Sequence, residues 1–270
     1  MQPEDDVITF IDYINIYIIQ CKIKLLRAME FRFNFIMGIF LSLIFSCAAP
    51  LFQFLIYSKT NGYPGWNFDQ MILFQAVLLL WSGIIGTFLG NLRPLITVVA
   101  KFGLFDRFLL FPYPSISVLI TSGFGYNSFG TLIAGLLALI YSIIKLNIIL
   151  HWYSILLFLV FLSLGILFYL ALMILYSAVT IKLIFVDRLF MIIDSLVSFG
   201  SFPAEIFPKI IKMGYLIFFP IAVWVYYPAQ VLLGRINYIA IYGAIMVVLF
   251  FILTLFIWNK QLKKYTSAGG

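Results

Sequence analysis

The sequence predicts an all-α integral membrane protein with six transmembrane helices, and three of its features carry that prediction. Of the 270 residues, 64% are hydrophobic and only 10% are charged. The mean hydropathy of +1.12 leaves no material for a separate water-soluble domain, so residues 1–270 are expected to form one transmembrane domain. Each uncharged tract is long enough to cross a hydrocarbon core roughly 30 Å thick, which takes about 20 helical residues. These tracts lie at residues 33–58, 70–92, 108–144, 146–181, 213–234 and 236–259.

The amino-terminal segment, residues 7–27, has the pattern of an interfacial helix. Apolar side chains recur along it at spacings of three and four residues, which is the periodicity of one helix face. Polar side chains interrupt its uncharged stretch, and its basic end suits anionic lipid headgroups. The polar and basic residues are Asp12, Asn15, Gln20, Lys22, Lys24 and Arg27. A poorly hydrophobic crossing of the membrane is the alternative.

The first four crossings follow from the positions of the uncharged tracts. We expect them at residues 33–57, at 71–92, within 115–144 and at 153–180. A loop with the sequence SKTNGYPGWNFDQ joins the first two, and its glycine, proline and asparagine residues are typical of turns. The tract at 115–144 is longer than one crossing needs. We therefore expect an amphipathic or re-entrant turn before the third helix.

In the last third of the chain, the basic residues decide the number of crossings. If residues 187–234 formed two full crossings, the chain would have seven. The basic carboxy terminus would then lie on the other side of the membrane from the basic amino-terminal segment, against the positive-inside rule. We therefore predict a fifth crossing at residues 189–201, a re-entrant segment on the outer side at residues 202–237, and a sixth crossing that ends at Trp258. Both termini then face the cytoplasm. The outer side holds only five basic residues, which are Lys59, Lys145, Lys209, Lys212 and Arg235.

The chain lacks the residues that catalysis or nucleotide binding would need. No GxxxxGK[ST] phosphate-binding motif is present, so we expect no ATP or Mg²⁺ site in this chain. His151 is the only histidine, and Cys21 and Cys47 are not spaced as a disulfide or metal pair. We therefore expect neither an enzyme nor a metal or cofactor site. No dense basic run interleaved with aromatic residues occurs, so nucleic acid is not an expected partner.

Asp194 is the one ionisable residue within a predicted crossing. Ionisable groups inside a membrane often mark ion paths, because hydrocarbon disfavours charge. An ion-coupled carrier would be expected to show several such groups, so a single aspartate argues against one. We expect Asp194 to be satisfied locally, by Ser195 or by backbone groups.

The cytosolic connection at residues 93–114 contains the segment KFGLFDRFLLFPYP. Phenylalanine recurs in it every three residues among charged side chains, at Phe102, Phe105, Phe108 and Phe111. This pattern is typical of a short helix that docks a protein partner. The alternative is a helix that lies on the inner leaflet of the membrane.

Three stretches of the chain resemble the type-2 permeases of ATP-binding-cassette (ABC) transporters, in particular a bacterial branch with six spans. FGLFDRFLLFPYPSISVLI resembles the cytosolic segment that follows the second span in that family. SFGSFPAEIFPKIIKMGYLIFFPIAVWVYYPAQVLLG is similar to the outer segment of the family in the order of its prolines and aromatic residues. The ending WNKQLKKYTSAGG resembles the basic tail of the family. Together with the six-span layout, the resemblance covers nearly the whole chain.

The resemblance implies a permease subunit of an ABC exporter in the bacterial inner membrane. A separate ATPase subunit in two copies would bind ATP and Mg²⁺, and a second permease, identical or related, would complete the substrate path within the lipid bilayer. The coupling helix that contacts the ATPase would comprise Lys101, Phe102, Gly103, Phe105, Asp106, Arg107, Phe108, Leu109 and Pro112. An outer gate of re-entrant helices would comprise Pro203, Pro208, Pro220, Tyr227 and Pro228. One departure is Phe111, which precedes Pro112 where relatives commonly carry a basic residue.

Two other classes of function are compatible with these residues. One is a secondary carrier or channel that works without an ATPase partner, and the other is a membrane scaffold without transport. Dependence on a partner separates them, because only the ABC permease needs an ATPase subunit.

Overall fold

The computed structural model of the chain describes residues 10–101, 105–111, 114–182 and 187–265, and all regular secondary structure in this part is helical. Three predicted coupling residues, Phe102, Gly103 and Pro112, lie outside the described residues, as does the start of the predicted interfacial helix. The helices are α1 (Phe10–Glu30), α2 (Arg32–Ser46), α3 (Ala48–Lys59), α4 (Phe68–Phe88), α5 (Leu92–Lys101), α6 (Phe105–Leu109), α7 (Ser115–Thr121), α8 (Phe129–Lys145), α9 (Trp152–Lys182), α10 (Asp187–Phe199), α11 (Lys209–Met213), α12 (Tyr226–Leu232) and α13 (Ile239–Leu262).

Four helical stretches in the described part of the chain are long and apolar enough to cross a membrane. They are Arg32–Lys59, Phe68–Phe88, Trp152–Thr180 and Ile239–Leu262. The 17-residue helix α8 is apolar as well, but shorter. These helices confirm the prediction of an all-α integral membrane protein. The four long stretches coincide with the first, second, fourth and sixth predicted crossings.

The other two predicted crossings correspond to helices that are shorter than the four long stretches. The third corresponds to α8, which the short helix α7 and a turn precede, as the length of the tract suggested. The fifth corresponds to α10, whose 13 residues extend over about 20 Å, less than the hydrocarbon thickness. Directly after this helix, a Cβ atom at Gly200 would lie only 3.0 Å from the ring of Trp224, so glycine lets the chain pass close to the re-entrant segment.

Helix α4 lies at the centre of the bundle and packs closely against α8. A Cβ atom at Gly83 of α4 would meet the backbone of Leu132, and one at Gly135 of α8 would meet the backbone of Leu80. Glycine at these two positions therefore lets the two helix backbones touch, which is a common way for helices to pack in lipid, where van der Waals contact replaces the hydrophobic effect.

A capping box determines where α4 begins. Oδ1 of Asn67 accepts a hydrogen bond of 2.9 Å from the backbone N–H of Gln70, and Oε1 of Gln70 accepts one of 3.2 Å from the backbone N–H of Asn67. Trp66 stands directly before this box, and α13 begins at the same end of the bundle. We call this end the Trp66 end, and the opposite one, where α13 closes with Trp258, the Trp258 end.

Helix α1 is hydrogen-bonded to the bundle at the end of α4 and at the turn between α7 and α8. The hydroxyl of Tyr17 donates a hydrogen bond of 2.9 Å to the backbone carbonyl of Phe88. Nζ of Lys24 donates to the backbone carbonyls of Ser122 and Phe124, over 2.6 and 3.0 Å. Burial lowers the pKa of the Lys24 ammonium. Despite its 21 residues, α1 is not among the stretches apolar enough to span a membrane, and its interfacial position stays a prediction.

Candidate functional site

The re-entrant segment enters the bundle from the Trp66 end, turns, and returns to the same end. Near its beginning, Glu205 accepts a hydrogen bond of 2.8 Å from Nε1 of Trp66. At its tip, the indole of Trp224 stacks on that of Trp81 with ring centroids 5.0 Å apart. At its return, Nη1 of Arg235 donates a hydrogen bond of 3.2 Å to the backbone carbonyl that precedes Trp66.

The tip of this segment reaches deep into the bundle. Trp81 and Gly165 each lie thirteen residues after the first residue of their helices, α4 and α9. At 1.5 Å per residue this is about 20 Å, or two-thirds of the hydrocarbon thickness. A Cβ atom at Gly165 would lie 3.1 Å from the carbonyl oxygen of Val223 and 3.3 Å from Cα of Trp224. The missing side chain at Gly165 therefore lets the tip pack directly against α9.

The prolines predicted for the gate each stand at the start of a helical turn in this segment. Proline suits such positions because its φ angle is already helical and the first turn does not need its N–H group. Pro203, Pro208 and Pro220 precede the turns Ala204–Ile206, Lys209–Met213 and Ile221–Val223, and Pro228 lies in the first turn of Tyr226–Leu232.

Tyr227, the fifth residue predicted for the gate, ties the descending and returning parts of the segment together. Its hydroxyl donates a hydrogen bond of 3.1 Å to the backbone carbonyl of Leu216. Tyr227 and three of the prolines are buried, whereas Pro208 is exposed. The structure thus places all five residues in the re-entrant segment, and their role as a gate stays a prediction.

Glu205 lies near the beginning of the re-entrant segment, where it contacts three side chains. It was not among the site residues predicted from the sequence. Its carboxylate accepts hydrogen bonds from Trp66 Nε1, over 2.8 Å, and from the hydroxyl of Tyr226, over 2.6 Å. Nζ of Lys212 lies 3.9 Å from Oε1 of the same carboxylate. One signal could have found it, because Glu205 is the only acidic residue after Asp194 in the chain.

The predicted coupling helix corresponds in part to α6, at the Trp258 end. The ring of Phe105 is buried and meets Trp258 edge to face, with centroids 5.9 Å apart. It meets Tyr265 in the same way at 5.0 Å, and it stacks on Phe108 at 6.5 Å. Phe105 therefore anchors α6 to the end of α13. Lys101, also predicted for this site, is the last residue of α5.

The side of α6 away from this anchor is exposed. Asp106 is half-buried and Arg107 is exposed, as are Leu109, Leu110 and Phe111. Leu110 has 84% of its surface exposed. An apolar surface of this kind beside a cation suits contact with another protein or with a membrane surface, and the sequence analysis left both alternatives open.

A cavity of about 220 Å³ lies between α1 and the segment formed by α6 and α7. Tyr13 and Gln20 of α1 face it, together with Phe108 and Thr121. The lining is mostly apolar with a few hydroxyl and amide groups. None of the described residues that line the cavity is charged.

Asp194 pairs with Arg93, which lies far from it in the sequence. Its Oδ2 lies 3.4 Å from Nη1 of Arg93, and both side chains are half-exposed. The expectation of a local partner was wrong, because the hydroxyl of Ser195 donates instead to the backbone carbonyl of Met191, over 2.8 Å. Arg93 and Asp194 are about a hundred residues apart in the chain, and they meet because α5 and α10 both pack against α9.

The part of the chain that the structure describes contains no group of three or more histidine, cysteine or acidic side chains that could hold a metal ion. The thiols of Cys21 and Cys47 are both free.

Comparison with known proteins found a match to one protein family. The family model described as ABC-2 family transporter protein matches residues 43–269. This match includes the four long apolar stretches except the beginning of the first, together with α6 and the whole re-entrant segment. No curated protein and no solved structure was found to match the chain.

Proposed function

The chain belongs to the ABC-2 transporter family, as a multi-pass membrane component of an ABC transporter, and from this premise we propose that it is the permease subunit of an ATP-driven exporter in the bacterial inner membrane. Two copies of a separate ATPase subunit bind ATP and Mg²⁺ beneath it. A second permease, identical or related, completes the path for the substrate. The family match over residues 43–269 is the observation that carries this proposal.

The distribution of charge supports an orientation with the Trp258 end in the cytoplasm. Lys260, Lys263 and Lys264 follow the last span at this end, and Arg107 lies on the neighbouring helix α6. Basic residues prefer the cytoplasmic side of a membrane. With an even number of crossings, both termini then lie in the cytoplasm and the re-entrant segment opens to the outside.

Helix α13 offers a continuous connection between the ATPase and the gate. At one end Trp258 holds Phe105 of α6. Fifteen residues earlier, Gly243 packs on the re-entrant segment, where a Cβ atom would lie 2.9 Å from the carbonyl oxygen of Leu216 and 3.0 Å from the ring of Tyr227. A movement of α6 driven by ATP binding therefore shifts α13, and with it the gate, between two states that the nucleotide binds with different affinity.

The exposed face of α6 allows a direct test of ATPase docking. Leu110→Glu places a charge directly after α6, beside that face, where 84% of the leucine is exposed. Ile210→Glu is the matched control at the Trp66 end of the bundle, since Ile210 is 87% exposed. We expect Leu110→Glu to weaken co-purification of the ATPase subunit by about tenfold or more, as loss of an apolar contact at a docking site predicts. Ile210→Glu should leave it unchanged.

Two results would contradict the proposal. The first is equal retention of the ATPase by the two variants, which would remove α6 from the docking surface. The second is transport in proteoliposomes that an ion gradient drives without ATP or the ATPase subunit, which would identify a secondary carrier or channel instead.

A further inference from the structure

A polar cavity lies at the Trp66 end, between the re-entrant segment and the beginnings of α4 and α13. Its volume is about 330 Å³, and Glu205, Lys212, Arg235 and Gln230 are among the residues that line it. We propose that this cavity binds a zwitterionic headgroup that carries both a primary ammonium and an anionic group, of which phosphoethanolamine is the simplest example. This binding site is additional to the proposed transport function and does not depend on it.

Glu205 and Gln230 form the side of the cavity that accepts hydrogen bonds. The 3.9 Å between Lys212 and Glu205 is too long for a hydrogen bond, so the carboxylate keeps acceptor capacity beyond its bonds to Trp66 and Tyr226. Gln230 is only 7% exposed, and its Oε1 has no hydrogen-bond partner in the described part of the chain. A buried acceptor without a partner is unfavourable. A primary ammonium has three N–H donors and can serve both groups.

Lys212 and Arg235 form the cationic side of the same cavity. Arg235 uses one N–H group for the backbone carbonyl before Trp66, and a guanidinium has five N–H donors. Both side chains can therefore bind a phosphate or carboxylate. Because two cations and one carboxylate share the cavity, a ligand with charges of both signs fits it better than a purely anionic or purely cationic one.

The position of the cavity favours a lipid as the source of this headgroup. Ile239, the first residue of α13, lines it, and Ile241 and Tyr242 in the same turn are exposed as membrane-facing side chains would be. Trp66 and Tyr226 also line it, and such aromatic residues are typical of the boundary between hydrocarbon and headgroups. A lipid headgroup can thus enter from the side, with its acyl chains along α13.

Native mass spectrometry of the full-length chain, titrated with lipids of identical acyl chains, tests the proposal. We expect phosphatidylethanolamine to bind about tenfold more tightly than phosphatidylcholine, whose quaternary ammonium has no N–H donor, and more tightly than the anionic phosphatidylglycerol. Displacement of the bound lipid by excess soluble phosphoethanolamine would show that the headgroup alone is recognised. Retention of the lipid under the same excess would assign the site to the intact lipid.

Three variants connect this preference with the cavity. Gln230→Met removes the buried amide at nearly constant side-chain size. Arg235→Gln removes an exposed cation and leaves the core unchanged, so it serves as the test if Gln230→Met does not fold. Arg235→Gln should weaken the binding of all three lipids by about tenfold, because each of them carries a phosphate. Gln230→Met should abolish the preference for phosphatidylethanolamine. Lys209→Gln, on an exposed residue outside the cavity lining, should retain it. Equal binding of the three lipids by the unaltered chain, or an unchanged lipid affinity in Arg235→Gln, would overturn the proposal while leaving ATPase docking on α6 untouched.

Discussion

The tip of the re-entrant segment and helix α6 are each held by one aromatic side chain, but the two side chains differ in how far their neighbours enclose them. Trp224 is only 1% exposed and packs between Trp81 of α4 and Phe168 of α9, so two helices enclose it. Phe105 holds α6 on one side only, while the residues around Leu110 are exposed. The enclosed tip is held firmly against α4 and α9. Helix α6 is suited to contact with a partner that moves it.

The largest effect is expected for Trp224→Ala. Removal of a fully enclosed indole leaves a cavity between α4 and α9, and such truncations cost about 3–5 kcal/mol of unfolding free energy. The measurement is the unfolding of the purified chain in detergent. Trp152→Ala is the control, because Trp152 is 77% exposed at the start of α9 and its loss should cost less than about 0.5 kcal/mol. Similar losses for the two variants would mean that the tip is not enclosed as described.

A smaller loss of stability is expected for Phe105→Ala, together with a large loss of partner binding. Helix α6 has five residues and stands at the edge of the bundle, so it can collapse onto the gap, and we expect a cost of about 2 kcal/mol. Co-purification of the ATPase subunit should fall because α6 is no longer held in place.

The exposed Phe111 provides the contrast to Phe105. Phe111→Ala removes an exposed ring, so it should weaken ATPase binding without lowering the unfolding free energy. If both variants lose stability equally, the distinction between an anchored and an exposed side of α6 fails.

The smallest effect is expected for Asp194→Asn, which breaks the ion pair with Arg93. Half-exposed pairs of this kind contribute roughly 0–1 kcal/mol, and high salt screens them. A double-mutant cycle with Arg93→Gln, measured at low and high salt, gives the coupling energy. A coupling well above this range would show that the pair is shielded from water, by the membrane or by a second permease.

Hydropathy was sufficient to place most of the membrane helices. The four long stretches coincide with predicted crossings, because a bilayer requires a run of apolar residues that the sequence shows directly. Helix α10, at Asp187–Phe199, also lies within two residues of the predicted crossing at 189–201. The sequence did not show that Gly200, directly after this helix, lies close to Trp224 from a distant part of the chain.

The two polar clusters show why the remaining features escaped the sequence analysis. Asp194 was recognised as unusual, but its partner Arg93 comes from a helix a hundred residues earlier. Glu205 was overlooked because its partners, Trp66 and Tyr226, belong to a loop and a helix that no local pattern connects with it. Hydrogen bonds and ion pairs between distant residues leave no periodicity in a sequence.

The sequence by itself determined that this protein is helical and lies in a membrane, and it marked the prolines at which the re-entrant segment changes direction. Both properties are local, because hydrocarbon selects apolar helices residue by residue and proline restricts its own backbone. Only the tertiary structure decided how deep that segment reaches, which residue pairs with Asp194, and that Glu205 and Arg235 share one cavity with Gln230. These outcomes depend on close packing between segments far apart in the chain, where contacts with glycines such as Gly165 determine how near two backbones can come.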